Sequence, residues 1–147
     1  RFDRLIILDS IDYLHDHVIP VSVNAGKKEN IVLHPVCSLQ KMGLDRKFVA
    51  VASHFSDHVN VPVHAGCCGM AGDRGFIFPE LTASATAPEA MEVKEISYEG
   101  YYSSAKTCEI AMSEAVGKNY ESILYLVDEC IVETHDYASQ SVTGHNA

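Results

Sequence analysis

The five cysteines of this 147-residue chain are the residues whose type and grouping most clearly indicate chemistry. Cys67 and Cys68 are adjacent and precede a glycine, whereas Cys37, Cys108 and Cys130 each stand alone. An odd number of cysteines with a single adjacent pair is unlike the disulfide framework of a small secreted protein. In a reducing compartment, cysteines grouped in this way are typical of metal binding or redox chemistry.

The spacing of these cysteines favours a metal cluster over a zinc finger. Zinc fingers present close Cys-x-x-Cys pairs because a short turn holds two ligands on one ion, and this sequence contains no such pair. Successive side chains on an extended backbone point apart, so Cys67 and Cys68 are suited to different irons of one larger cluster. Soft thiolate donors favour iron–sulfur or zinc over magnesium or calcium. A zinc site, or a thiol redox site in which Cys67 and Cys68 form a disulfide, are the alternatives.

Hydrophobic periodicity and turn residues divide the chain into alternating strands and helices. Helices are predicted over 10–19, 44–56, 79–93, 105–116 and 123–131, and strands over 31–33, 59–63 and 96–102. Ser104 is the expected cap of the 105–116 helix, Gly117 is its end, and Pro88 can break the helix before it. The alternation predicts an α/β fold, a single domain with a mostly parallel sheet flanked by helices.

Four of the cysteines follow predicted strands closely. Cys37, the pair Cys67 and Cys68, and Cys108 come after the first, second and third strand in turn. The carboxyl ends of parallel strands meet at one edge of a sheet, where ligands bind in open α/β folds. We therefore predict that these four thiolates converge on one metal cluster. Cys130 lies on the apolar face of the last predicted helix and is expected to be a core residue.

His34 is the histidine that the sequence places at the carboxyl edge of the predicted sheet. It ends the first predicted strand, just before Pro35 and Cys37. Such a histidine can orient the cluster or carry a proton, and it can equally be a hydrogen-bonded core residue.

A glycine-rich loop over 66–76 contains the cysteine pair. Gly69, Gly72 and Gly75 are expected to supply unusual backbone angles or a close approach of the backbone to the cluster. Asp73 and Arg74 are expected to form an ion pair that braces the loop. We predict that the loop is shaped for the site rather than for packing.

Composition limits the remaining classes of function. A chain that is 47% hydrophobic can form one core, assigned to 1–134, and the polar residues 135–147 are expected to be a loose tail. The formal net charge of −9 disfavours nucleic-acid binding, and no apolar run is long enough for membrane insertion. The chain begins at Arg1 without a leader. We interpret it as a cytoplasmic piece of a longer protein.

Several motifs, in order along nearly the whole chain, carry a family likeness. They resemble the C-terminal cysteine-rich domain, or Cys-Cys-Gly domain, of FAD-linked D-lactate dehydrogenases. More distant likenesses are to the iron–sulfur subunit of glycolate oxidase and the B subunit of heterodisulfide reductase. The matching segments are His34-Pro35-Val36-Cys37-Ser38, Lys41-Met42-Gly43-Leu44, Cys67-Cys68-Gly69-Met70-Ala71-Gly72-Asp73-Arg74-Gly75-Phe76, Pro79-Glu80-Leu81-Thr82-Ala83-Ser84-Ala85-Thr86, Gly100-Tyr101-Tyr102-Ser103-Ser104 and Thr107-Cys108-Glu109-Ile110.

The resemblance implies an electron-transfer role within a larger 2-hydroxy-acid dehydrogenase. In such an enzyme an N-terminal FAD domain oxidises the hydroxy acid, and a ferredoxin-like segment and the cysteine-rich domain relay the electrons to an acceptor such as a quinone or a cytochrome. The present chain contains neither the flavin domain nor the ferredoxin motif, so it is expected to be inactive alone and to supply no catalytic residue. The parent enzyme is expected in the cytoplasm, in some cases peripheral on the inner face of the membrane.

One departure from the wider family affects the ligand set. That family closes its motif with Cys-x-x-Cys, and here the first of these positions is Ala105, so only Cys108 remains. The D-lactate dehydrogenase branch is similar in this respect. The resemblance therefore implies four cysteine ligands and an ordinary [4Fe–4S] cluster, with zinc as the alternative metal.

Overall fold

A parallel β-sheet forms the centre of the domain in the computed structural model, which describes residues 4–131. Its four strands are β1 (Lys28–His34), β2 (Ser56–Asn60), β3 (Gly100–Ser103) and β4 (Glu121–Ser122), in the spatial order β2-β1-β3-β4. All three pairings are parallel, with Ile31 opposite both Val59 and Gly100. The predicted α/β class and parallel sheet are confirmed, whereas the predicted tail over 135–147 lies outside the described residues.

Helices connect the strands and cover both faces of the sheet. They are α1 (Ser10–Tyr13), which continues as a π-helical turn and a 3-10 turn to Val21, α2 (Cys37–Lys41), α3 (Asp45–Phe55), α4 (Arg74–Ile77), α5 (Pro79–Val93), α6 (Lys106–Val116) and α7 (Ile123–Cys130). None of the helices within residues 4–131 has both the length and the apolar character needed to cross a bilayer.

The central strand β1 divides the core into two layers. Ile31 and Leu33 contribute to a large cluster with residues of α3 and α7, such as Phe48 and Leu126. Val32, the residue between them, contributes to a second cluster with residues of α5 and α6. This alternation is the period of a strand that is covered on both faces. His34 follows Val32 by two residues and therefore lies at the end of β1 on the α5 side.

β1 and β2 have different boundaries from those predicted, because both strands include polar residues at one end. β1 begins at Lys28 rather than at Ile31, and its early amides and side chains bond to the 97–99 segment, for example Glu29 N–H to the Glu99 carboxylate at 2.6 Å. β2 is Ser56–Asn60, so Val61 and Val63 fall outside it. Pro62 has no N–H for a sheet ladder, which ends the strand. The two-residue strand β4 was not predicted.

Pro88 and Ser104 do not have the effects on α5 and α6 that the sequence predicts. α5 continues through Pro88. Pro88 has no N–H, so the carbonyl of Ser84 has no hydrogen-bond donor within the helix. Both residues are exposed, and water can donate to that carbonyl instead. Ser104 does not cap α6, because the helix begins at Lys106 and its N-cap residue is Ala105. Gly117 ends α6 in the left-handed region, with φ of 75°, as predicted.

Candidate functional site

The candidate site lies where the carboxyl ends of the two central strands meet. β1 ends at His34, and three residues later Cys37 opens α2. β3 ends at Ser103, and Cys108 is in the first turn of α6. The Ser103 hydroxyl donates a hydrogen bond to the carbonyl of His34 at 3.0 Å, which ties the two buried strand ends together.

Three potential ligands converge at this point. The sulfur atoms of Cys68 and Cys108 are 2.9 Å apart and form a hydrogen bond. These two sulfurs and one imidazole nitrogen of His34 all lie within 4.8 Å of one another. All three side chains are buried, with exposed fractions of 4% for Cys68, 6% for Cys108 and 0% for His34.

A buried glutamate lies behind the imidazole. Both carboxylate oxygens of Glu89 on α5 are 2.9 Å from Nδ1 of His34, and Glu89 is only 2% exposed. The other ring nitrogen, Nε2, is buried and makes no hydrogen bond to any of the residues that the structure describes. With Nδ1 occupied by the carboxylate, Nε2 is the nitrogen available to the two thiols.

The charges of the site are coupled. Burial alone opposes protonation of His34, but its interactions with Cys68 and Glu89 outweigh burial and raise the pKa of His34 to about 9. The hydrogen bond from Cys108, the proximity of His34 and the Met70 amide together lower the pKa of the Cys68 thiol. The hydrogen bond to Cys68 and burial raise the pKa of Cys108. Cys108 therefore keeps its proton and donates it to a Cys68 thiolate.

Cys37 and Cys67 lie around this buried group and are both exposed. Electrostatic interactions with both contribute to the rise in the pKa of Cys108, so both are within electrostatic range of that sulfur. They do not belong to the group of three atoms within 4.8 Å. The four predicted cysteines thus divide into a buried pair and an exposed pair.

The adjacent cysteines have opposite environments, which bears on the alternative of a disulfide between them. Cys68 is buried and hydrogen-bonded to Cys108, whereas Cys67 faces solvent. Neighbouring side chains on extended backbone point apart, as the sequence argument assumed. The two thiols that lie closest are therefore Cys68 and Cys108, not Cys67 and Cys68.

Two glycines of the 66–76 loop have the unusual backbone angles that were predicted, but the close approaches of its glycines are to α5 and to Met70, so the loop is shaped for packing as well and not only for the site. Gly69 and Gly72 adopt positive φ angles of 75° and 80°. A side chain at Gly69 would stand 2.6 Å from the carbonyl oxygen of Leu81, and one at Gly75 would overlap Met70 and Thr82. The loop is thus packed directly against α5, and this packing holds Cys68 in place.

Asp73 and Arg74 do not brace the loop as predicted. Both side chains are exposed, and they form no ion pair among the described residues. Asp73 instead ends the loop as the N-cap residue of the short helix α4, which occupies the last part of the predicted loop. Its carbonyl accepts a hydrogen bond from the amide of Phe76 at 3.1 Å.

Cys130 lies at the opposite edge of the sheet. Its carbonyl accepts a hydrogen bond from the amide of Ala25, and its thiol faces the carbonyl of Phe55 at 4.0 Å. Ala25 comes just before β1 and Phe55 just before β2, so both contacts lie at the amino edge of the parallel sheet. Burial raises the pKa of the Cys130 thiol, which therefore stays protonated in the core.

Glu89 is the residue of the site that the sequence reasoning missed. The buried positions of α5 are Thr82, Thr86, Glu89, Ala90 and Val93, which lie on one helical stripe. A glutamate on such a stripe requires a buried partner, because an unpaired carboxylate is costly to bury. That signal was present in the sequence, but it identifies neither the partner nor the site.

The donor set fits a soft metal. Two buried sulfurs, one of them a thiolate, and an unpartnered imidazole nitrogen are typical ligands of zinc and of iron–sulfur centres. Comparison of the chain with protein-family models, with curated proteins and with solved structures gives no match.

Proposed function

We propose that this domain is an electron-transfer module of an FAD-linked 2-hydroxy-acid dehydrogenase of the D-lactate dehydrogenase type, and that it holds an iron–sulfur cluster through Cys37, Cys67, Cys68 and Cys108. The observation that carries the proposal is the meeting of Cys68 and Cys108, which are distant in sequence, at the carboxyl edge of the sheet. The family likeness of the motifs supplies the parent activity and the [4Fe–4S] type. In this proposal the parent enzyme is cytoplasmic and passes electrons to a quinone or a cytochrome.

The residues of the chain would each have a defined part in holding the cluster. Cys68 is already biased toward the thiolate that metals bind, and the proton on Cys108 is lost on binding. The glycine loop allows the backbone to approach closely, and the Met70 amide donates to the Cys68 sulfur. When bound, the cluster supplies one-electron chemistry between the flavin and the acceptor. The exposed Cys37 and Cys67 mark the side of the site that a redox partner can approach.

Iron and acid-labile sulfide analysis of anaerobically prepared protein tests the identity of the metal. The proposal expects a brown protein with iron and sulfide in equal amounts. Cys68→Ser should lose this iron, whereas Cys130→Ser, which changes a cysteine at the other edge of the sheet, should retain it.

Kinetics of the full-length enzyme test the function. With Cys67→Ser or Cys68→Ser, reduction of the flavin by substrate should proceed at the normal rate in stopped-flow experiments, since the flavin takes the hydride. Turnover with the natural acceptor should slow, because the onward path is interrupted. Normal turnover in both variants would remove the domain from the electron path.

A zinc-bound structural or docking module is the second candidate. It is favoured by the three donor atoms that lie within 4.8 Å of one another, a grouping that suits a single ion. The same metal analysis separates the two candidates, since a zinc protein is colourless and contains no sulfide.

A further inference from the structure

The imidazole of His34 presents a buried nitrogen that the fold itself does not use. Within residues 4–131 Nε2 makes no hydrogen bond, the side chain is 0% exposed, and the thiols of Cys68 and Cys108 lie beside it. A buried polar atom left unpaired costs about 1–3 kcal/mol, and such atoms are rare in proteins. An unpaired nitrogen beside two thiols therefore indicates a ligand that bonds to it.

The other side of the ring is arranged as it is in metal-binding histidines. Nδ1 lies 2.9 Å from both oxygens of Glu89, so it carries the proton and donates it to the carboxylate. Histidines that bind metals through one nitrogen usually donate from the other to a carboxylate, which fixes the tautomer and the ring plane. Glu89 is only 2% exposed, so its carboxylate makes this contact inside the protein core.

The distances agree with a shared metal. In a tetrahedral site with bonds of about 2.3 Å to sulfur and about 2.0 Å to nitrogen, the sulfurs are about 3.8 Å apart and sulfur and nitrogen about 3.5 Å apart. The three donor atoms here lie within 4.8 Å of one another. The sulfurs of Cys68 and Cys108, at 2.9 Å, share a proton, and they need to separate by only about 1 Å once a metal replaces it.

From this geometry we infer that His34 binds the metal directly through Nε2, together with Cys68 and Cys108, and that Glu89 holds the imidazole in position. The inference deepens the proposed function and rests on its metal site. Because a [4Fe–4S] cluster and a zinc ion each take four protein ligands, His34 replaces one of the exposed cysteines, Cys37 or Cys67, in the proposed ligand set. A histidine ligand reduces the negative charge of a thiolate site. In an iron–sulfur centre, replacement of thiolate by imidazole raises the reduction potential.

Cobalt(II) is a suitable probe because it reports on its ligands by absorption. We would titrate the reduced, metal-free chain with Co²⁺ under anaerobic conditions and follow the thiolate-to-cobalt bands. X-ray absorption of the loaded protein reports imidazole through its outer-shell scattering. The wild-type chain should show both signatures. His34→Ala should lose the imidazole scattering, retain thiolate bands and bind Co²⁺ at least 100-fold more weakly.

Matched variants separate ligation from folding. Glu89→Gln should weaken Co²⁺ binding by about 10–100-fold, the usual effect of losing an outer carboxylate, while imidazole scattering remains. His34→Cys supplies another ligand and should bind Co²⁺ more tightly than His34→Ala, with a stronger thiolate band. His58→Ala changes an exposed histidine of β2 and should leave binding unchanged. Circular dichroism of each variant checks that it is folded.

The outcomes that overturn the inference are distinct from those that overturn the proposed function. Unchanged affinity and imidazole scattering in folded His34→Ala would remove His34 from the ligand set and leave the cysteine site intact. Absence of thiolate bands in the wild-type chain would refute the metal site, and the inference would fail with it.

Discussion

Replacement of Gly69 by alanine should destabilise the domain more than replacement of Gly72 in the same loop. Gly69 has a φ of 75°, and an added Cβ would lie 2.6 Å from the Leu81 carbonyl oxygen and 2.9 Å from the Cα of Thr82. The left-handed backbone costs a non-glycine residue about 1–2 kcal/mol. Contact with the α5 backbone, which cannot rotate away, adds about 1–3 kcal/mol. The free energy of unfolding should therefore fall by about 2–5 kcal/mol.

Two other glycines separate these contributions. Gly72 has a φ of 80°, but none of the described residues comes within 4 Å of an added Cβ, so Gly72→Ala should cost only the conformational part, about 1–2 kcal/mol. Gly26 has no positive φ, and an added Cβ would meet no atom of residues 4–131 within 4 Å, so Gly26→Ala should change stability by less than about 1 kcal/mol.

Urea unfolding of the metal-free chain, followed by circular dichroism, measures all three variants. Gly69→Ala should also weaken metal binding, because the residue directly follows Cys68 and its displacement moves that thiol. If Gly69→Ala and Gly72→Ala destabilise the chain equally, the loop is not packed against α5 as described, and the reasoning about the loop is refuted.

Three further predictions follow from the burial and charge of the site. Glu89→Ala leaves His34 buried without its partner and should lower the unfolding free energy by about 3–5 kcal/mol in urea, with a smaller loss for Glu89→Gln. Iodoacetamide should modify Cys37 and Cys67 rapidly in the native metal-free chain, and mass spectrometry should show two fast adducts, since the other cysteines are buried. In NMR titrations His34 should titrate near pH 9 rather than 6.5. Its contribution to stability should then be complete below about pH 6.5 and decline as the pH rises through 9.

Each of these has a clear contrary result. A loss below about 1 kcal/mol for Glu89→Ala would mean that the carboxylate is not buried against the ring. A third rapid adduct would show that the buried pair is open to solvent. A His34 titration near 6.5 would contradict the close contacts with Cys68 and Glu89.

The convergence of Cys68 and Cys108 was accessible from the sequence because it depends on topology. Parallel strands have their carboxyl ends on one side, so residues that follow different strands meet without any detailed knowledge of packing. The positions of Gly69 and Gly75 were accessible for a similar reason, since a run of glycines beside a cysteine pair is typical of backbone that must approach closely.

The division of the cysteines into buried and exposed pairs was not accessible in the same way. Whether Cys67 or Cys68 faces inward depends on the phase of an irregular loop, and a shift of one residue exchanges them. The pairing of Glu89 with His34 joins residues of a strand and a helix through the tertiary packing of α5 on the sheet. No local pattern specifies that contact, although a glutamate on a buried stripe indicates that some partner exists.

The errors at strand ends have a related origin. Lys28, Glu29 and Asn30 belong to β1, but their polar side chains interrupt the apolar run on which the prediction relied. Their place in the strand depends on bonds to a distant segment, such as that from the Asn30 side-chain amide to the carbonyl of Ser97 at 3.0 Å. A two-residue strand such as β4 has too few residues to show a period at all.

The way in which the site is assembled implies that the metal binds to a domain that is already folded. The core layers on both faces of the sheet consist mainly of aliphatic and aromatic side chains, and the thiols of the site contribute only Cys68 and Cys108 to them. The loop is held without a metal, because the amide of Gly75 bonds to the carbonyl of Met70 at 3.0 Å and the Thr82 hydroxyl donates to the Met70 sulfur at 3.6 Å. In a zinc finger the free energy of metal binding is used to fold the chain. Here the sheet and its core are already folded before the metal binds, so removal of the metal should disturb the loop while the sheet stays intact.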